Sequence, residues 1–342
     1  SDADGSLKNG PQSAGAFPGP ACYGNDGREP TNTDANLVLG RLGEDLAGGE
    51  ISLIKSLAEK AIEEKIAGKF NFELKEAAEA IISVANSNMS NAVRLISIAR
   101  GYDPRDFALV AFGGAGALHG AAIAKELSIP VVIIPLNPGV TSALGCLLVD
   151  VQHDFSDSFM TAAAETKATD LENAFKKLED EANERLLSEG ISPENVMVER
   201  YAEMMYQGQY RSLLVRAPSN LSTVQELVDN FHKEHQREYN FKREDAPVSL
   251  FRVAIKATGI VSKAELKEYG FKVYEPKSNK KREIFFDGKS HEAAVYQRAE
   301  LNAGAKFSGP SIVDQLDSTT FVPPGMSAEI DKYLNIIIKN EE

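Results

Sequence analysis

The stretch AFGGAGALHG, residues 111–120, gathers Gly113, Gly114, Ala115, Gly116 and His119 at what reads as a turn between a strand and a helix. Glycine there lets a ligand approach the backbone, and the free N–H groups of a helix's first turn offer partial positive charge to an anion or a sugar. A nucleotide is the candidate ligand. The spacing is GGxG rather than GxGxxG, and the Lys-Ser/Thr of a Walker loop is missing, so a tight turn where only glycine fits explains the same residues. His119 falls on the first helical turn, within reach of a ligand at the glycines, although a packed histidine fits the pattern too.

Elsewhere the chemistry-bearing residues are sparser. Cys22, in the loop GPACYGNDGREP, has no histidine or basic neighbour in sequence to lower its pKa, and reads as structural. Asp34 stands before an apolar run, either as a helix N-cap or as a carboxylate for substrate or metal. His232 and His235 share a helical face at a spacing that can chelate, but no HExxH-type carboxylate completes a site, and His235 keeps step with Phe231 and Tyr239 as packing. Ser318, Thr319 and Thr320 form a hydroxyl cluster that could contact a ligand, although threonine is also ordinary strand material. No metal ligands are assigned.

These residues need elements to hold them. Apolar residues recur at three and four from Ile51 to Lys65 and again from Leu74 to Ala99, which predicts two amphipathic helices after a short one opened by Asp34. Buried strands are expected over 107–112 and 130–134, with a small-residue helix over 116–126 between them: a βαβ unit. The segment PLNPGVTSALGCLLVDV, rich in Ala, Gly and Leu, should be buried. Beyond it come a helix closed by Gly190, two strands, a helix carrying His232 and His235, an alternating strand VSLFRVAIKATGIV, and short strands after residue 293.

Composition excludes several classes. A formal charge of −13 argues against a nucleic-acid partner, no apolar run reaches membrane-spanning length, and the leading SDADGSLKNG lacks the regions of a signal peptide. The two cysteines form no CxxC pair, which argues against a disulfide framework and fits a reducing cytoplasm.

Five stretches in order, GPACYG, TNTDANLVLGRL, NSNMSNAVRLISIARGYDPRDFALVAFGGAGALHG, PLNPGVTSALG and GPSIVDQLDSTTFVPPG, resemble the hydantoinase A/5-oxoprolinase family, which also holds the related subunits of acetone and acetophenone carboxylases. The resemblance implies an α/β fold: the latter part of an actin/hexokinase-like ATPase domain over 1–158, then an α+β C-terminal domain with a small β-rich module over 159–342, with a linker or edge hairpin near 263–290. It implies ATP and Mg²⁺ as cofactors and FGGAGALH as the adenosine motif, with Gly113, Gly114, Ala115 and Gly116 against the nucleoside and His119 near it. Asp34 and His119 are the catalytic candidates. The resemblance also implies phosphorylation of a carbonyl oxygen to open a cyclic amide such as a hydantoin or 5-oxoproline. A ketone carboxylase subunit or a non-catalytic scaffold are the alternatives. No DxGGT phosphate motif occurs in the chain. The resemblance therefore extends to the C-terminal half to two-thirds of a subunit, split or truncated, and the expected partners are a chain or segment carrying the first ATPase lobe and a larger hydantoinase B-like subunit.

Overall fold

The computed structural model describes residues 5–278 and 280–340; the first four residues of the expected leading loop lie outside them. A glycine- and proline-rich loop with one 3-10 turn, Ala21–Tyr23, leads into α1 (Asn32–Val38). A two-stranded ribbon, β1 (Asp45–Leu46) and β2 (Ile51–Ser52), precedes α2 (Lys55–Ile62), which continues through a π-helical turn into α3 (Gly68–Phe70). The helix expected from Ile51 starts only at Lys55, because Ile51 and Ser52 are extended and paired with Leu46 and Asp45. Next come α4 (Leu74–Ile96), β3 (Ala108–Val110), α5 (Gly116–Leu127), β4 (Val131–Ile134) and α6 (Thr141–Cys146). The predicted βαβ unit is present, with β3 and β4 parallel.

The middle of the chain holds β5 (Val151–Ala162), α7 (Ala168–Ser188), β6 (Val196–Tyr206), β7 (Leu213–Ala217), α8 (Val224–Tyr239) and β8 (Val248–Gly259). The remainder is strands: β9 (Lys280–Phe286), β10 (Lys289–Gln297), β11 (Lys306–Ser308), β12 (Ser311–Asp314), β13 (Thr319–Val322), β14 (Met326–Ile330) and β15 (Ile336–Asn340).

Two compact units result. One joins the residues up to Leu144 with those from Glu265 onward; the other is Gly145–Ala264. The reason is strand pairing. The sheet of the βαβ unit has the order β11-β14-β15-β4-β3, with β15 antiparallel to β4 through Ile336 opposite Ile134 and Ile338 opposite Val132. The last strands of the chain therefore complete the sheet begun by β3 and β4, and Ile134, Ile336 and Ile338 share one core with Ala117, Ala121 and Ala124 of α5. Small residues let α5 lie close to that sheet: a Cβ on Gly120 would stand 2.9 Å from the Ala111 Cβ and 3.1 Å from Val132 Cγ1. A second sheet of this unit, β13-β12-β10-β9, has its own apolar cluster around Ile284, Ile312 and Phe321.

The other unit is an antiparallel sheet, β5-β8-β6-β7, with the apolar faces of α7 and α8 packed into one core through Phe175 and Phe231. His232 and His235 lie in this packing. The Nδ1 of His232 is 2.8 Å from the Tyr206 hydroxyl, and that of His235 is 2.8 Å from the Phe241 carbonyl.

One expectation of burial fails. Along PLNPGVTSALGCLLVDV, Val140 is 55% exposed and Leu147 62%, since no element among the described residues covers them. No helix among the described residues is long and apolar enough to cross a membrane.

Candidate functional site

A cleft of about 800 Å³ opens within the unit that carries the glycine turn. Gly114, Ala115 and His119 form one wall, Asn36 of α1 and the Gly43–Leu46 segment another, and Arg282 of β9 with the corner between β12 and β13 a third. The corner is held against the βαβ unit by two bonds. Gln315 Nε2 donates to the Leu136 carbonyl at 2.7 Å, and the Gly139 N–H donates to Asp317 Oδ2 at 2.8 Å.

The glycines of the turn do different things. Gly113 sits at φ +85°, where a side chain strains the backbone, and its N–H is already given to the Pro138 carbonyl at 2.7 Å. Gly114 has no such conformation, and a Cβ built on it meets nothing nearer than the Asp317 carbonyl oxygen at 3.6 Å. The protein itself thus leaves Gly114 room for a side chain, on the wall of the cleft. α5 begins at Gly116 after Ala115, and no side chain caps it, so its first N–H groups carry no side-chain partner.

His119 is 5% exposed, and its Nδ1 is 2.7 Å from Asn86 Oδ1 on α4. An amide oxygen only accepts, so the proton is on Nδ1 and the lone pair on Nε2. Burial, and then the positive charge of Arg41, push its pKa down to about 4. The ring is neutral near pH 7 and can accept a hydrogen bond; it holds no extra proton to give. Arg41 is itself buried, 5.0 Å from the Phe321 ring centroid and 5.8 Å from that of Phe286.

Asp34 takes a different place from the one read in the sequence. Thr31 is the N-cap of α1, and Asp34 is the third helical residue, closing a capping box with it. Its carboxylate accepts from the N–H groups of Cys22 (2.8 Å), Ala21 (3.2 Å) and Thr31 (2.8 Å) and from the Thr31 hydroxyl (2.8 Å). Oδ2 takes three of these bonds and Oδ1 the fourth, and the side chain is fully buried, so the catalytic expectation for Asp34 gives way to a structural one: it fastens the leading loop to α1. Cys22 is fully buried beside it; burial and the neighbouring carboxylate push its thiol far up, which makes it unreactive.

The structure adds Asn36 and Arg282, to which the sequence does not point, and brings Ser318 to the same cleft. Asn36 Nδ2 donates to the Asn32 carbonyl at 2.9 Å, which leaves Oδ1 buried with no partner. Arg282 Nη2 donates to Asp314 Oδ2 at 2.8 Å while Nη1 is buried and unpaired. Ser318 Oγ is likewise buried and unpaired, whereas Thr319 and Thr320 beside it are buried strand residues of β13. Arg282 hid in a Lys- and Glu-dense stretch that reads as surface. Ser318 did carry a signal, in its hydroxyl cluster. Among the described residues no three His, Cys, Asp or Glu side chains are grouped to hold a metal ion.

Residues 1–155 match the hydantoinase/oxoprolinase family, and residues 158–340 match the hydantoinase/oxoprolinase C-terminal domain. The chain belongs to the hydantoinase/oxoprolinase family. Within it, the chain is 32% identical to the caprolactamase subunit alpha of Pseudomonas jessenii, over 96% of this chain and 49% of that protein. It is 33% identical to the acetophenone carboxylase gamma subunit of Aromatoleum aromaticum, over 96% and 47%. The crystal structure of the ATP-dependent caprolactamase from Pseudomonas jessenii superimposes with a TM-score of 0.79 at 29% identity, covering 100% of this chain and 51% of that one. The hydantoinase/oxoprolinase chain described here thus spans about half the length of these relatives.

Proposed function

We propose that the chain is the nucleotide-binding part of an ATP-dependent amidohydrolase that opens a cyclic amide. The observation that carries this reading is the likeness along the whole chain to an ATP-dependent caprolactamase, joined to a cleft whose wall leaves space at Gly114. When bound, ATP supplies the phosphoryl group that makes the amide carbonyl a good electrophile. The chain's own residues bind and orient. Gly114 and Ala115 let the nucleotide lie against the backbone, and the neutral His119 accepts a hydrogen bond through Nε2. Arg41 and Asn86 keep that ring unprotonated and fixed. Mg²⁺ needs only one or two carboxylates beside phosphate oxygens and water, and Glu44 and Asp45, cleft carboxylates that form no ion pair among the described residues, suit that role.

The site is shared with other chains or segments. A segment supplying the first ATPase lobe and a larger hydantoinase B-like subunit are the proposed partners, and the open edge of the sheet at β3, with Phe107, Val110 and Phe112 about half exposed, is a surface such a partner would cover. A second reading, a ketone carboxylase subunit, is favoured by the comparable identity to the acetophenone carboxylase gamma subunit. The test is ATP consumption by the complex isolated with this chain. Hydantoin, oxoproline or caprolactam should stimulate it without bicarbonate. Stimulation by acetophenone that requires bicarbonate would establish the carboxylase instead, and a folded chain that binds no nucleotide would be a scaffold.

A further inference from the structure

We propose that Asn36, Arg282 and Ser318 read the uncharged end of the nucleotide, its base and ribose, and that this cleft holds the phosphates weakly without a divalent cation. The inference rests on the nucleotide-binding reading above and assigns residues to it. Five buried side-chain atoms among the described residues lack a hydrogen-bond partner, and three of them, Asn36 Oδ1, Arg282 Nη1 and Ser318 Oγ, belong to residues that line this one cleft. Unpaired buried polar atoms are costly, and their concentration at a cavity wall marks the place where a ligand supplies the missing bonds.

Their chemistry selects the ligand. Asn36 Oδ1 can only accept, because its amide is turned by the Nδ2 bond to the Asn32 carbonyl. The Nε2 of His119, on the same cleft, also accepts. A fully ionised phosphate has no proton to give either of them, whereas the exocyclic amino group of a base or a ribose hydroxyl does. Arg282 Nη1 can only donate, to a ring nitrogen or a sugar oxygen, and the Ser318 hydroxyl can do both. The charges agree: Glu44, Asp45, Asp314 and Asp317 line the cleft against Lys280 and Arg282, and Arg282 is already paired with Asp314. A wall with more carboxylates than cations repels a bare triphosphate and is indifferent to a nucleoside.

The decisive variant is Ser318→Ala. It deletes a hydroxyl that has no protein partner, so the unliganded chain should melt at the same temperature or higher, while a merely structural serine would lower it. Calorimetric titration of the complex isolated with this chain, in EDTA, should show adenosine binding within about threefold of ATP. Ser318→Ala and Asn36→Leu should each weaken adenosine by roughly tenfold. The inference is overturned if both variants bind adenosine like the parent, or if tripolyphosphate competes as well as adenosine does. A folded complex carrying the parent chain that binds neither adenosine nor ATP overturns the nucleotide reading itself, which is a distinguishable result.

Discussion

Asp34 and His119 show how far a residue's type speaks for its role. Both stood out in the sequence as groups able to do chemistry, and both turn out to be governed by partners that spacing does not reveal. The donors to Asp34 lie 12 and 13 residues upstream, at Cys22 and Ala21, in a loop with no periodicity to place it. Asp34→Asn would turn an amide N–H₂ toward those donors. The expected loss is about 3 kcal/mol of stability, seen as a lower urea midpoint, with nucleotide affinity of the folded fraction unchanged. His119 makes a prediction about pH. Its folded pKa, about 4, lies below the ordinary value of 6.5, so the unfolded chain binds the extra proton first. The contribution is whole above pH 6.5 and is lost as pH falls toward 4, amounting to about 2 kcal/mol between pH 7 and pH 5. Urea titrations at those two pH values should show a smaller difference for His119→Gln than for the parent. Equal differences would mean that the ring titrates normally.

At the level of elements, what is local was legible and what is long-range was not. The strand, glycine turn, helix and second strand over residues 108–134 follow from apolar runs and glycine placement within 30 residues. The pairing of β15 with β4 joins positions about 200 residues apart, and a run such as LNIIIK announces a strand without naming its neighbour. The same limit explains the misread burial after β4, since an apolar run is buried only where another element lies over it. The glycine turn allows a separation of roles. Gly120→Val places carbon where the Ala111 and Val132 side chains already stand, and should cost about 1–3 kcal/mol by overpacking, visible as a lower melting temperature. Gly114→Val meets no protein atom nearer than 3.6 Å to its Cβ and needs no positive φ, so it should fold like the parent. Its side chain would enter the cleft, and ATP affinity should fall about tenfold or more, equivalent to about 1.4 kcal/mol. A Gly114→Val chain that melts normally and binds ATP fully would leave the turn with no role beyond connecting strand to helix.

For the whole molecule, the half-exposed Phe107, Val110 and Phe112 around β3, the outer strand of its sheet, argue for association. The purified chain should self-associate, or come away from cells with a larger subunit; a sedimentation coefficient that stays monomeric at high concentration would count against this. The interrupted unit has a further consequence, in the order of synthesis. The chain leaves this unit near Leu144 and returns near Glu265, and the hydrogen-bonding edge of β4 is not occupied until Ile336 emerges from the ribosome. At roughly 5–20 residues per second, β4 waits on the order of tens of seconds with an unpaired edge and an uncovered apolar face. Within that interval the residues 145–264 can complete their own sheet as a self-contained insertion, while the nascent βαβ unit is the part of the chain that a chaperone would have to shelter.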